Sequence, residues 1–257
     1  MHLAAVLSVE ESTQDPFHYY DVNTAGTLNL AESCIKNGVQ KLIFSSSSTV
    51  YGDPKEGPFL LNSRTEPINP YGRSKLMGEC ILADCAKASG LDVTALRYFN
   101  AAGADPDGEI ELRSSNASQL IPKLMSAIAN DTPFSIYGTD YDTEDGTCIR
   151  DYIHVWDVAN AHIAALKSPF QPGTNRFFNI GIGKGRSVRE VVNSVQRITG
   201  ITLRIVERER RRGDASVVIA GDIEEIQSQL GWVAKYREID DIVSHSWRWH
   251  CQKTKSE

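Results

Sequence analysis

The sequence predicts an α/β protein: part of a doubly wound parallel sheet, followed by a smaller α/β domain. Three observations carry this. Strand-like runs alternate with helix-length segments, the order that parallel sheets with crossover helices require. KLIFSS (41–46) and RFFNIG (176–181) are apolar runs suited to strands covered on both faces. Beyond residue 100 the texture changes to long polar loops between shorter elements.

HLAAV (2–6) reads as a short strand, and residues 17–38 as a helix that stops at Gly38. KLIFSS follows as a strand. Residues 71–90 form a helix closing near Gly90, and LDVTALRYF (91–99) is the next strand. Residues 101–120 are a turn-rich loop. A helix over 119–129 precedes the strand FSIYG (134–138), the loop TDYDTEDGTCIRD (139–151), the short strand YIHV (152–155) and a helix over 156–167. After RFFNIG, Ser187 and Glu190 form a capping box for a helix that ends at Gly200. Asp222 and Glu225 repeat that device, and the last helix carries Ile239, Ile242, Val243 and Trp247 on one face.

The bulk numbers exclude several classes. At 257 residues the chain is one domain or two closely joined ones, with 41% hydrophobic and 23% charged residues. No apolar run approaches the roughly 20 residues of a membrane span, and MHLAAVLSVEES lacks the basic start of a signal peptide. A net charge of −6 gives no general attraction to nucleic acid or anionic membrane. Cys34, Cys80, Cys85, Cys148 and Cys251 contain no CxxC pair, which suits reduced thiols in a cytoplasmic protein. No group of residues has metal-ligand spacing, and His154 reads as a packed structural side chain. In RIVERERRRGD (204–214) the arginines alternate with glutamates, a solvated strand face rather than an RNA site.

The chemistry is concentrated in two stretches. In FSSSSTVYGD (44–53) a strand exit runs into four serines, then Thr49 and Tyr51. Open α/β sheets bind ligands at the carboxyl ends of their strands. In NPYGRSK (69–75), Tyr71 and Lys75 lie four apart at a helix start, on one face. A free phenol titrates near pH 10, and a nearby ammonium favours the phenolate. Tyr-x-x-x-Lys therefore makes a candidate general base.

The serine cluster, the Tyr-x-x-x-Lys and a strand ending RYFN come in a specific order. With LRYFNAAGADPDG, TEDGTCIRDYIHV, FNIGIGKGRSVREVV and RRRGDASVV, that order resembles the extended short-chain dehydrogenase/reductase superfamily, and within it the UDP-glucose 4-epimerases. Ser48 and Thr49 stand where the dehydratase relatives place an Asp-Glu pair. The resemblance implies a Rossmann-like NAD-binding part over 1–100. It implies a UDP-sugar-binding part over 101–257, with 152–182 packing back on the first sheet.

It further implies Tyr71 as the base for the sugar 4-hydroxyl, Lys75 as its tuner and ribose contact, and Ser47 as a partner of the same hydroxyl. Asn23, Thr49, Tyr98 and Phe99 would lie near the cofactor, which is NAD. Asn100 would meet the UDP-hexose, Leu120 and Tyr137 the uracil, Arg150 and Arg211 the diphosphate, and Asp214 the ribose, while Val218 would border the sugar. It implies a homodimer through the helices at 16–38 and 71–89, and a role in galactose metabolism.

The sequence has no G-x-x-G-x-x-G, and Met1 to Ala5 resembles the fourth strand of the epimerase sheet. The expectation is that the chain as given binds NAD weakly and is active only with an upstream Gly-rich unit. Two alternatives remain open: an inactive UDP-sugar-binding or dimerising remnant, and a 4-epimerase for a related nucleotide sugar such as a UDP-pentose.

Overall fold

The computed structural model describes residues 1–52, 58–110, 119–211 and 215–253. The chain divides into two compact units, the first comprising Met1–Phe99, Asn160–Ile180 and Ala220–Val233, the second Asn100–Ala159, Gly181–Ile219 and Ala234–Glu257.

The first unit opens with helix α1 (Val9–Gln14), capped by Ser8, whose side chain accepts from the Glu11 amide. The sequence reading missed this helix. Helix α2 (Pro16–Tyr19) runs through a π-helical turn, Tyr20–Ala25, into α3 (Gly26–Lys36). One continuous helix was expected here. The π turn carries Asn23, whose amide brackets Val6: Val6 N donates to its Oδ1 at 2.9 Å and its Nδ2 donates to Val6 O at 3.1 Å. That bracket corrects the expected strand over 2–6. Only His2 pairs with the sheet, as a single bridge to Phe44, because the Val6 backbone bonds to a side chain in place of a ladder.

Strand β1 (Lys41–Ser47), helix α4 (Pro70–Ser89), strand β2 (Asp92–Tyr98) and strand β6 (Asn175–Ile180) build the parallel sheet, in the order β1-β2-β6. Ala31, Leu42, Phe44, Leu82, Ala86 and Val93 form its core beneath α3 and α4. Gly78 lets α4 lie close on the sheet, since a Cβ there would stand 2.8 Å from Phe44 Cζ. Helix α8 (Ile223–Leu230) completes the unit. The expected capping box is absent there. Asp222 sits at φ 52°, makes no side-chain cap, and its carboxylate instead accepts from Leu61 N at 2.8 Å.

The second unit pairs β3 (Asn100–Ala102) with β5 (Ile149–His154), which also meets β7 (Gly185–Ser187) and β9 (Val217–Val218). Strands β7 and β9 are too short to leave a periodicity. Strand β4 (Phe134–Tyr137) pairs in parallel with β8 (Ile205–Arg208). Helix α7 (Val188–Thr199) has the expected Ser187–Glu190 capping box and Gly200 in the left-handed region. Its Val191, Val192 and Val195 pack with Ile121 and Leu124 of α5 (Leu120–Ala129) and Ile242 and Val243 of α9 (Ile239–Lys253). Helix α6 (Val155–Lys167) follows β5 directly. His154 is packed, accepting from Trp156 N through Nδ1 and meeting His245 Nδ1 through Nε2 at 3.0 Å. Among the described residues no helix is long and apolar enough to cross a membrane, and no group of side chains is arranged to hold a metal ion.

Candidate active site

The first unit gathers its candidate residues at the carboxyl end of β1. The strand ends at Ser47 and turns through a 3-10 segment, Ser48–Val50, so Ser47 becomes the cap of that turn. Ser47 Oγ accepts from Thr49 N at 3.2 Å and Thr49 Oγ1 at 2.9 Å. Both acceptor positions are then filled, and the Ser47 proton is left to donate.

The NPYG stretch explains the approach of the tyrosine. Asn69 caps α4 by accepting from Gly72 N at 2.8 Å, and Pro70 takes the first helical position, where its missing N–H costs nothing. A Cβ on Gly72 would stand 2.6 Å from Thr49 O, so only glycine lets the helix start touch the serine turn. Tyr71 is thereby buried beside that turn, with the Tyr19 ring edge-on at 6.4 Å.

Lys75, one turn on, donates from Nζ to Ser45 O at 2.9 Å and lies 5.2 Å from the Phe44 ring centre. It is 3% exposed, and burial lowers its pKa to about 8. Burial also raises the Tyr71 phenol above its ordinary value, and the Ser47 hydroxyl supplies the opposing pull. The sequence reading expected Lys75 to lower Tyr71. Spacing puts the two on one helix face, but burial disfavours the charged phenolate and sets the direction. Tyr98, at the end of β2, meets Ser45 Oγ at 2.8 Å and His162 Nε2 at 2.6 Å, and its pKa is raised, chiefly by burial. Phe99 is buried, its amide bonded to Ile180 O at 3.1 Å. The Asn23 amide is engaged with Val6 and with Ser74 Oγ at 3.0 Å, bracing the helix that carries Tyr71.

In the second unit Asn100 is exposed at the start of β3, and Leu120 packs on the α5–α7–α9 core. The Arg211 guanidinium lies 4.0 Å from the Tyr137 ring centre, which joins two of the expected residues. Arg150 and Val218 are register partners on β5 and β9, and Arg150 Nη1 donates to Ile149 O at 2.8 Å. Asp214 lies outside the described residues.

The sequence reading overlooked Glu79, Arg97 and Asn179 and gave Tyr51 no role; the four are buried and mutually bonded beside Ser46. A signal existed: an arginine inside the apolar strand TALRYF, and a glutamate one turn beyond Lys75.

The donor set fits the nicotinamide-ribose half of a dinucleotide. A phenol, an ammonium and two hydroxyls converge, and among the described residues the buried ammonium makes one hydrogen bond for three donors.

Comparison with known proteins agrees with this chemistry. The chain is 44% identical over 250 residues to a UDP-glucose 4-epimerase of Azospirillum brasilense, covering 97% of this chain and 72% of that one. Among solved structures, the UDP-glucose-4-epimerase of Stenotrophomonas maltophila with bound NAD and formylated UDP-arabinopyranose matches with a TM-score of 0.93 at 37% identity. That match covers all of this chain and 76% of the other. The UDP-Glc/GlcNAc 4-epimerase of Campylobacter jejuni matches with a TM-score of 0.80 at 41% identity, over 98% of this chain and 76% of that one. Residues 1–181 match the description of one family throughout, and the chain belongs to it: the NAD dependent epimerase/dehydratase family.

Proposed function

We propose that this chain takes part in NAD-dependent 4-epimerisation of a UDP-sugar, with UDP-glucose and UDP-galactose as the substrate pair. The observation that carries the reading is the meeting of Tyr71, Lys75 and Ser47 at the end of one parallel strand. When bound, NAD would supply the redox chemistry, a reversible hydride transfer at C4 of the sugar. Tyr71 takes the proton from the 4-hydroxyl as C4 is oxidised and gives it back when the alcohol reforms. Ser47, its oxygen held by Thr49, donates to the phenol oxygen and steadies the charge there. Lys75 holds the cofactor ribose, and its positive charge favours the phenolate once it is paired with that site.

Phe99 and Tyr98 flank the nicotinamide end, and Asn23 braces the tyrosine helix. Arg150 and Arg211 suit the diphosphate because guanidinium forks match its oxygens. Tyr137 and Leu120 flank the uracil, Asp214 holds the uridine ribose, and Asn100 and Val218 meet the sugar. Residues 1–100 serve the cofactor and 101–257 the UDP-sugar, with 152–182 aligned with the first part. The same proposal includes a cytoplasmic homodimer through the helices at 16–38 and 71–89, where Phe17 is 86% exposed and Leu28 and Met77 are also exposed. A place in galactose metabolism follows from the substrate pair.

The test is proton NMR of UDP-glucose, UDP-N-acetylglucosamine and UDP-xylose, each incubated with the purified chain and excess NAD. Interconversion of UDP-glucose and UDP-galactose that Tyr71→Phe abolishes supports the proposal. Turnover of the pentose alone moves the assignment to a UDP-pentose. Turnover that survives Tyr71→Phe removes the mechanism.

A further inference from the structure

A buried ionic network runs beside the candidate site. Ser46 Oγ donates to Glu79 Oε1 at 2.5 Å. Arg97 grips the same carboxylate with both arms of its fork, Nε to Oε1 at 2.9 Å and Nη2 to Oε2 at 2.7 Å. Its Nη1 donates to Tyr51 Oη at 2.9 Å, and Tyr51 donates to Asn179 Oδ1 at 2.7 Å. Asn179 Nδ2 donates to the carbonyls of Phe59 at 2.9 Å and Gly221 at 3.0 Å. The rings of Tyr51 and Phe177 lie 4.9 and 4.7 Å from the guanidinium. Glu79 is 3% and Arg97 5% exposed.

Such a pair is a poor source of stability. Desolvating both charges offsets most of the attraction, and apolar side chains of similar volume do as well or better. Its placement suggests another role. Ser46 directly precedes Ser47 on β1. Glu79 follows Lys75 by one turn of α4 and Tyr71 by two. Arg97 directly precedes Tyr98 on β2. Each element that bears a candidate catalytic side chain thus contributes one neighbour to the network, and a two-pronged guanidinium–carboxylate bond fixes direction as well as distance. A misplacement of about 1 Å costs on the order of 100-fold in rate.

We propose that the Glu79–Arg97 pair is a positioning device that holds the Ser47 strand end in register with the Tyr71 helix. Its turnover arm rests on the function proposed above; its structural arm does not. The test uses the full chain with 3-fluorotyrosine in place of tyrosine, and two variants: the apolar double change Glu79→Met with Arg97→Met, and Arg97→Lys, which keeps the charge and loses the fork. Fluorine NMR reads the Tyr71 resonance, identified by its disappearance in Tyr71→Phe.

The expected result is a double variant that melts no lower than the parent, with a shifted and broadened Tyr71 resonance. Its kcat falls about 100-fold while KM is unchanged, and Arg97→Lys falls with it. An unmoved Tyr71 resonance in the folded variants overturns the proposal, as does parental kcat in either of them. A parent chain without epimerase activity counts against the proposed function only, since the fluorine spectra still decide whether the pair positions Tyr71.

Discussion

Lys75→Met separates stability from function. Methionine keeps most of the stem of Lys75 and removes the ammonium. In the folded protein burial brings this lysine from its ordinary pKa of 10.5 to about 8. Each unit is 1.36 kcal/mol, so holding the charge costs about 3 kcal/mol. Losing the charged bond from Nζ to Ser45 O gives back about 2 kcal/mol of that. The variant should therefore be more stable by about 1 kcal/mol, a rise of about 3 °C in Tm for a chain of this size. The pH dependence has a definite sign. Between the folded and unfolded pKa values the unfolded chain binds more protons, so the wild type gains stability as pH rises through that window. The advantage of Lys75→Met is full below about pH 8 and fades toward pH 10.5. Thermal unfolding by circular dichroism at neutral pH and at about pH 10 measures both. Turnover should fall in the same variant. A wild type as stable as Lys75→Met at neutral pH, or a gap that does not shrink with pH, refutes the reasoning.

Tyr71→Phe should lower kcat by about 10² to 10⁴ in steady-state assays and lower stability by about 1 kcal/mol, because the buried Ser47 hydroxyl loses its phenol partner. If Val218 borders the sugar as proposed, Val218→Tyr should selectively reduce kcat/KM for UDP-N-acetylhexoses relative to UDP-glucose, since tyrosine is much the larger side chain; equal loss for both substrates would remove that idea. Gly78→Ala should destabilise by about 1–3 kcal/mol in urea titration, because its Cβ would press on the Phe44 ring.

The parallel sheet was legible in the sequence because β1, β2 and β6 are apolar runs set between helix-length segments, with the helix before β2 stopping at Gly90. The last helix showed its buried face through the spacing of Ile239, Ile242, Val243 and Trp247. Other features depend on tertiary partners that a local pattern does not contain. The segment 2–6 has strand-like residues, yet Asn23, from a π turn with no periodic signature, bonds both backbone groups of Val6. Asp222 and Glu225 have capping-box spacing, but Leu61 draws the carboxylate away. Helix α1 is six residues long, too short to show a period. At the candidate site, spacing identified Tyr71 and Lys75, and a resemblance supplied Ser47. The balance of burial against charge at Tyr71 and the Glu79–Arg97 pair became visible only with all three elements in place, because each term depends on what surrounds the groups.

The proposed function stands on oxidation and reduction of the sugar at C4 with Tyr71 moving the hydroxyl proton. Its most direct measurement is proton NMR of UDP-glucose with this chain and excess NAD in deuterated water. Hydrogen that leaves and returns through the cofactor never exchanges with solvent. Any UDP-galactose formed should keep protium at C4, and Tyr71→Phe should form none. Deuterium at C4 of the product, or interconversion that survives Tyr71→Phe, would contradict it.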